Sequence, residues 1–236
     1  MPSKRSSSPR PKRTAGRLKR SNLLTQVVLV FPALLFYELG VLALGLRQRN
    51  GVDLITDEIG ARIGYGPFSL LLLITFAVLV FVLRREQRFE WKALVPVLLE
   101  SGIYALTMGT FIIFVMVDIL HMNPRMALGP LDKVVLALGA GVHEELFFRL
   151  LLLGGLAYVL ERALPRTTAI LLAFLISSAL FSAAHHMGKL GDPFTAGVFT
   201  YRLLAGLVFA TIYWFRGFAV AVYTHALYDV YVMILR

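Results

Sequence analysis

Apolar residues gather along this chain into runs, most of them near the roughly 20 residues that cross a bilayer as a helix. The runs cover residues 23–46, 68–83, 93–120, 130–163, 168–186, 196–215 and 218–235. Polar segments separate them: a charge-balanced stretch over 47–66, the turn Arg84-Arg85-Glu86-Gln87-Arg88, Asn123-Pro124, and a short basic segment that Pro165 closes. Pro130 suits the first turn of a helix, where an N–H would be unpartnered anyway. Gly139-Ala140-Gly141 marks a weak point inside the fourth run. The pattern predicts an all-α polytopic membrane protein, a bundle of seven transmembrane helices, or eight if the fourth run breaks at its glycines. No internal repeat is visible. Residues 1–21 read as a tail, 22–128 as N-terminal transmembrane helices and 129–236 as a C-terminal helical core.

Composition strengthens the membrane reading. Of 236 residues, 58% are hydrophobic and 16% charged, against about 45–50% and about 25% in soluble domains. With no cysteine, disulfides, thiolate catalysis and Cys-based zinc sites are excluded. The formal net charge of +10 is unevenly placed, because residues 1–20 carry eight Lys and Arg and no acid. A Ser- and Pro-rich basic tail of this kind predicts disorder. It predicts a cytoplasmic flank attracted to anionic lipid, and no nucleic-acid partner is expected. The apolar run behind it is about twice the length of a signal-peptide core, so it reads as an uncleaved first span. With the tail inside, the basic turns at 84–92 and 161–166 also fall inside.

Ionisable residues in spans are costly and are functional candidates by default. Here they are Glu38, Glu100, Asp118, Glu144, Glu145, Arg149, His185, His225 and Asp229. Glu38 and Glu100 can be satisfied by an Arg or a backbone group and serve packing. Asp118 and His121 lie near a span end and are expected to meet water. Within GVHEELFFRLLLLG, Glu145 and Arg149 are four apart and share a helix face, while Glu144 points about 100° away and needs another partner. Either Arg149 holds both carboxylates and nothing reacts, or Glu144 belongs to a site. His185 follows Phe181 by four residues and Asp229 follows His225 by four, each pair on one helix face. Three helices each offering an acid–base residue favour a converging site.

Common hydrolytic signatures are missing. His143-Glu144-Glu145-Leu146-Phe147 begins like HExxH but has Phe at the second His position. Ser177, Ser178 and Ser182 lie on the His185 run without a G-x-S-x-G elbow. A proton-coupled transporter could use such an acid–histidine set, although no inverted repeat or matched pair of broken helices accompanies it. A membrane scaffold or immunity protein is the non-catalytic alternative.

Glu144-Glu145-Leu-Phe-Phe-Arg149, Phe181-Ser-Ala-Ala-His185 and His225-Ala-Leu-Tyr-Asp229 occur in this order on separate apolar runs. Together they resemble the signature EExxxR, FxxxH, HxxxN/D of the CPBP family, the type II CAAX prenyl proteases and bacteriocin-processing enzymes. The resemblance covers about residues 130–235, making 129–236 the CPBP-like catalytic core. It implies an intramembrane endopeptidase acting on a membrane-anchored protein or peptide. By position it implies that Glu144 is the general base for a water, aided by His185. His225 and Asp229 would steady the oxyanion, and Glu145 and Arg149 would hold the helix and tune its charge. Substitution of Glu145 is then expected to be milder than substitution of Glu144. Prenyl-protease members usually carry Asn at the Asp229 position. Glu144, His185 and His225 also resemble a His₂Glu zinc set, so zinc is the alternative to the favoured metal-free glutamate mechanism. Short loops, many arginines and no cysteine suggest a bacterial inner-membrane protein and make a prenylated substrate less expected. One geometric requirement follows. His185 ends its run, whereas His225 is seven residues into a parallel one, so tilt, a re-entrant loop near 188–193 or a short sixth span must bring them to one depth.

Overall fold

The computed structural model describes residues 20–44, 62–119, 121, 129–187, 191 and 193–234. The basic tail up to residue 19, most of the 47–66 segment, Asn123-Pro124 and most of 188–193 lie outside the described residues. Among the described residues there are seven helices and no strand. They are α1 (Leu23–Leu44), α2 (Tyr65–Leu83), α3 (Leu94–Phe114, extended by a π turn Val115–Ile119), α4 (residues 130–160), α5 (Arg166–Ala184), α6 (Ala196–Arg216) and α7 (Phe218–Ile234). Five stretches are long and apolar enough to cross a membrane: Leu23–Leu44, Gly66–Leu83, Trp91–Ile119, Arg166–Ala184 and Ala196–Arg216. The chain is an integral membrane protein of all-α, multi-pass architecture.

The fourth run does not break at Gly139 and Gly141; α4 passes through both. Their missing side chains serve packing instead. A Cβ at Gly139 would collide with the Tyr37 ring of α1, and one at Gly141 would lie 2.7 Å from the Val222 carbonyl oxygen and 2.9 Å from the Ala226 methyl of α7. Close backbone approach at small residues is how helices pack without a hydrophobic drive in lipid. The irregularity of α4 comes one turn later, where Glu145–Leu153 is π-helical. The N–H of Gly154 reaches back to the carbonyl of Arg149, five residues earlier. Wider turns of this type recur at functional positions.

α4 is also the ruler that aligns the two histidine helices. It runs antiparallel to α5, with the Phe148 and Phe181 rings 5.3 Å apart. It runs antiparallel to α7 as well, with Gly141 against Val222 and Ala226 and Lys133 Nζ donating to the Met233 carbonyl at 2.9 Å. The two contact registers put His185 and His225 at the same level. α5 therefore ends level with the middle of α7, and this offset answers the depth requirement read from the sequence.

Glu100 serves packing, as expected. It accepts from Arg216 Nε and Nη2 and from the Tyr104 hydroxyl, tying α3 to the end of α6. Glu38 is buried and accepts from the Ser69 hydroxyl of α2. His143 Nε2 lies 3.8 Å from it. Asp118 and His121 are exposed.

Candidate active site

Adjacent residues on a helix point about 100° apart, so Glu144 and Glu145 address different neighbours. Both are buried, Glu145 completely. Glu145 meets two cationic or donor groups: its Oε1 lies 2.8 Å from His225 Nδ1, and its Oε2 lies 3.4 Å from Arg149 Nε. Glu144 instead turns its Oε2 toward His185 Nε2 at 3.6 Å and His225 Nε2 at 3.8 Å. The three groups that the sequence reading singled out therefore converge from α4, α5 and α7. Asp229 joins them, its Oδ2 3.6 Å from His225 Nε2.

The hydrogen-bond network assigns the imidazole protons. His185 Nδ1 lies 2.8 Å from the Phe181 carbonyl oxygen, which only accepts, so Nδ1 carries the proton. In the neutral ring Nε2 is then an acceptor facing Glu144. His225 Nδ1 likewise donates to Glu145, leaving its Nε2 between Glu144 and Asp229. A ring carrying both protons has an acceptor for each. The Glu144 separations exceed the 2.7–3.2 Å or so of a direct N–H···O bond, and Glu144 Oε2 is buried without a hydrogen bond to a protein group among the described residues. A water about 2.8 Å from both Oε2 and His185 Nε2 fits this spacing, donating one proton to each acceptor.

Aromatic rings fix the set. Phe209 of α6 stacks on His225 with centroids 4.3 Å apart and planes 14° from parallel. Phe181 presents its ring to the Arg149 guanidinium, whose carbon lies 4.7 Å from the centroid. Arg149 is fully buried, and its guanidinium makes no hydrogen bond among the described residues. Glu145 and the Phe181 face are what oppose its charge. The Phe of the FxxxH piece is thus a platform for the Arg of the EExxxR piece.

Two contacts escaped the sequence reading. Glu145 was assigned to Arg149 alone, and its bond to His225 crosses between helices that no spacing rule connects. Arg202 and Phe209 of α6 were not singled out, yet Phe209 stacks on His225 and Arg202 lies on the same helix. The signal for Arg202 was present, since it is an ionisable residue inside the apolar run 196–215, seven residues from Phe209 and on the same helix face.

Among the described residues, no three His, Asp or Glu side chains are arranged to hold a metal ion. His225 Nδ1 is engaged by Glu145, and the remaining groups lie at the distances given above.

Residues 127–231 match the family described as type II CAAX prenyl endopeptidase Rce1-like. The matched segment contains Glu144, Glu145, Arg149, His185, His225 and Asp229, and leaves out α1, α2 and α3. No curated protein and no solved structure matches the chain.

Proposed function

We propose, from the match of residues 127–231 to the family described as type II CAAX prenyl endopeptidase Rce1-like, that the chain is an intramembrane endopeptidase in which Glu144 activates a water. The observation that carries the reading is the approach of His185 Nε2 and His225 Nε2 to one oxygen of Glu144, at 3.6 and 3.8 Å, from two other helices. A water held between the Glu144 carboxylate and His185 Nε2 has both protons engaged and a lone pair directed outward. It attacks the scissile carbonyl carbon as Glu144 takes a proton. The tetrahedral oxyanion is met by the His225 Nε2–H of the doubly protonated ring, held in place by Glu145 and Phe209. Glu144 then returns the proton to the leaving nitrogen as the C–N bond breaks, giving a carboxylic acid and an amine; the acid passes its remaining proton to His185 Nε2 or to solvent and leaves as a carboxylate. General acid–base assistance of this kind contributes about 10²–10⁴-fold, and the burial of the site strengthens each of its electrostatic contacts.

The substrate is a membrane-anchored protein or peptide, and the mechanism calls on no metal. The experiment is comparative membrane proteomics of three strains: wild type, a deletion, and one carrying Glu144→Ala. A protein left uncut in both the deletion and Glu144→Ala identifies the substrate. A deletion phenotype that Glu144→Ala fully rescues would replace the protease reading with a scaffold.

A further inference from the structure

We propose that the site opens to the extracytoplasmic side of the membrane, so that the scissile bond is presented from outside the cell. Two independent features of the bundle combine here, its charge asymmetry and its packing asymmetry.

One end of the bundle is basic. The start of α1, the α2–α3 turn, the α4–α5 turn and the α6–α7 junction all meet there. Asn22 Nδ2 donates to the Arg88 carbonyl at 2.8 Å, and Gln26 Oε1 accepts from the Phe218 N–H at 2.5 Å. The two turns carry Arg84, Arg85, Arg88, Lys92, Arg162 and Arg166, and residues 1–20 lead into α1 at this end with eight more Lys and Arg. In sequence, the connections at the other end (residues 45–64, 120–129 and 185–195) carry fewer cations, Arg47, Arg49, Arg62, Arg125 and Lys189, and these are nearly matched by Asp53, Asp57, Glu58 and Asp192. Lys and Arg in short connections set orientation, so the basic end is cytoplasmic.

The site is sealed toward that basic end. Val142, Leu153, Ala157, Tyr213, Phe218 and Val222 form part of a continuous buried core there. Phe181 and Phe209 close over Arg149 and His225. Toward the other end α5 simply stops: His185 caps its C-terminus at the level of mid-α7. The members of the site that retain exposure are those facing this way, with side-chain exposures of 16% for His185 and 17% for Asp229, against 0% for Glu145 and Arg149. Access is therefore from the end with fewer cations.

The substrate half of the inference rests on the protease reading. It commits the enzyme to a peptide segment on the outer side of the membrane, and away from lipid-modified tails displayed in the cytoplasm. The sidedness itself does not depend on activity, and the absence of cysteine makes it directly measurable. Single-cysteine variants Met187→Cys and Leu131→Cys, at exposed residues on the open end, and Arg85→Cys and Arg162→Cys, at exposed residues on the basic end, are expressed in the full chain. Intact cells are treated with a membrane-impermeant maleimide. Met187→Cys and Leu131→Cys are expected to label fully, and Arg85→Cys and Arg162→Cys only after permeabilisation. The reverse pattern overturns the proposal. If one open-end variant fails to accumulate, the other still decides the question. If labelling is as expected but no protein is left uncut in Glu144→Ala membranes, the sidedness stands and the protease reading falls.

Discussion

Glu145→Ala tests whether the second carboxylate of the pair is a structural counter-charge, an orienting group, or both. The carboxylate faces Arg149 Nε at 3.4 Å and His225 Nδ1 at 2.8 Å, and neither Glu145 nor Arg149 has exposed surface. Removing one member of a buried ion pair leaves the other uncompensated, at a cost of about 3–5 kcal/mol. The Phe181 face beside Arg149 is present before and after the change, so it adds no new compensation for the lost carboxylate. At about 1.4 kcal/mol per decade, the folding equilibrium should fall by roughly 10²–10⁴. Glu145→Ala is therefore expected to be severe, harsher than pairing with Arg149 on an exposed helix face would imply. Arg149→Met removes the charge that needs compensation while filling most of its volume. The double variant Glu145→Ala/Arg149→Met should regain about 2 kcal/mol relative to Glu145→Ala, a coupling within the range seen for residues in contact. Thermal unfolding of the purified variants in detergent reads this directly. Activity should not return with stability, because the bond orienting His225 stays absent. Loss of an orienting carboxylate on a catalytic imidazole can cost about 10⁴-fold in turnover. If the double variant is less stable than Glu145→Ala, or if it cleaves substrate at the wild-type rate, the two roles assigned to Glu145 are wrong.

Three further outcomes are expected. Glu144→Gln should lower cleavage by about 10²–10⁴-fold with an unchanged melting temperature; a matching loss of stability would make Glu144 structural. Asp229→Asn should remain active, since the amide supplies a donor beside His225 Nε2, and chelators should leave the purified enzyme active. Stoichiometric zinc together with a dead Asp229→Asn variant would instead support a metal mechanism through Glu144, His185 and His225. Gly141→Ala should cost about 1–3 kcal/mol by overpacking and reduce activity with it, because the new methyl meets the Val222 carbonyl and the Ala226 backbone N rather than a movable side chain; an unaffected variant would refute the close packing of α4 on α7.

The helices were legible because the apolar runs are long and their interruptions are Pro, Gly or clustered charge. The seven runs read from the sequence match α1 to α7 to within a few residues at their ends. Gly139-Ala140-Gly141 was misread because helix propensity penalises glycine, while close packing of α4 on α1 and α7 requires it there. The π-helical stretch Glu145–Leu153 was not legible, since Leu and Phe fill α and π turns alike. Convergence of Glu144, His185 and His225 could be argued from three polar interruptions on three runs. The offset of α5 against α7 could not, because it follows from packing registers along α4 rather than from the length of any one run.

Why two carboxylates stand side by side in an apolar run can now be argued from the helix itself. In the proposed mechanism a single glutamate could not both activate a water and hold the imidazole that meets the oxyanion, since the first role needs an oxygen facing His185 and the second needs one engaged with His225 Nδ1. Placing them three or four residues apart would stack both on one face, where they would repel each other and compete for the same neighbours. Adjacent positions turn them about 100° apart, so that Glu145 meets Arg149 and His225 while Glu144 reaches between His185 and His225. Arg149, one turn along on the Glu145 side, opposes the charge of the residue that is completely sealed, and Phe181 braces Arg149 from α5. Glu144, the carboxylate facing the open end of α5, is left with an oxygen not claimed by a protein donor. In the proposed mechanism the neutralised member fixes the geometry and the unclaimed member does the chemistry, and exchanging their environments by moving the arginine to position 148 should abolish cleavage even though the composition of the site is unchanged.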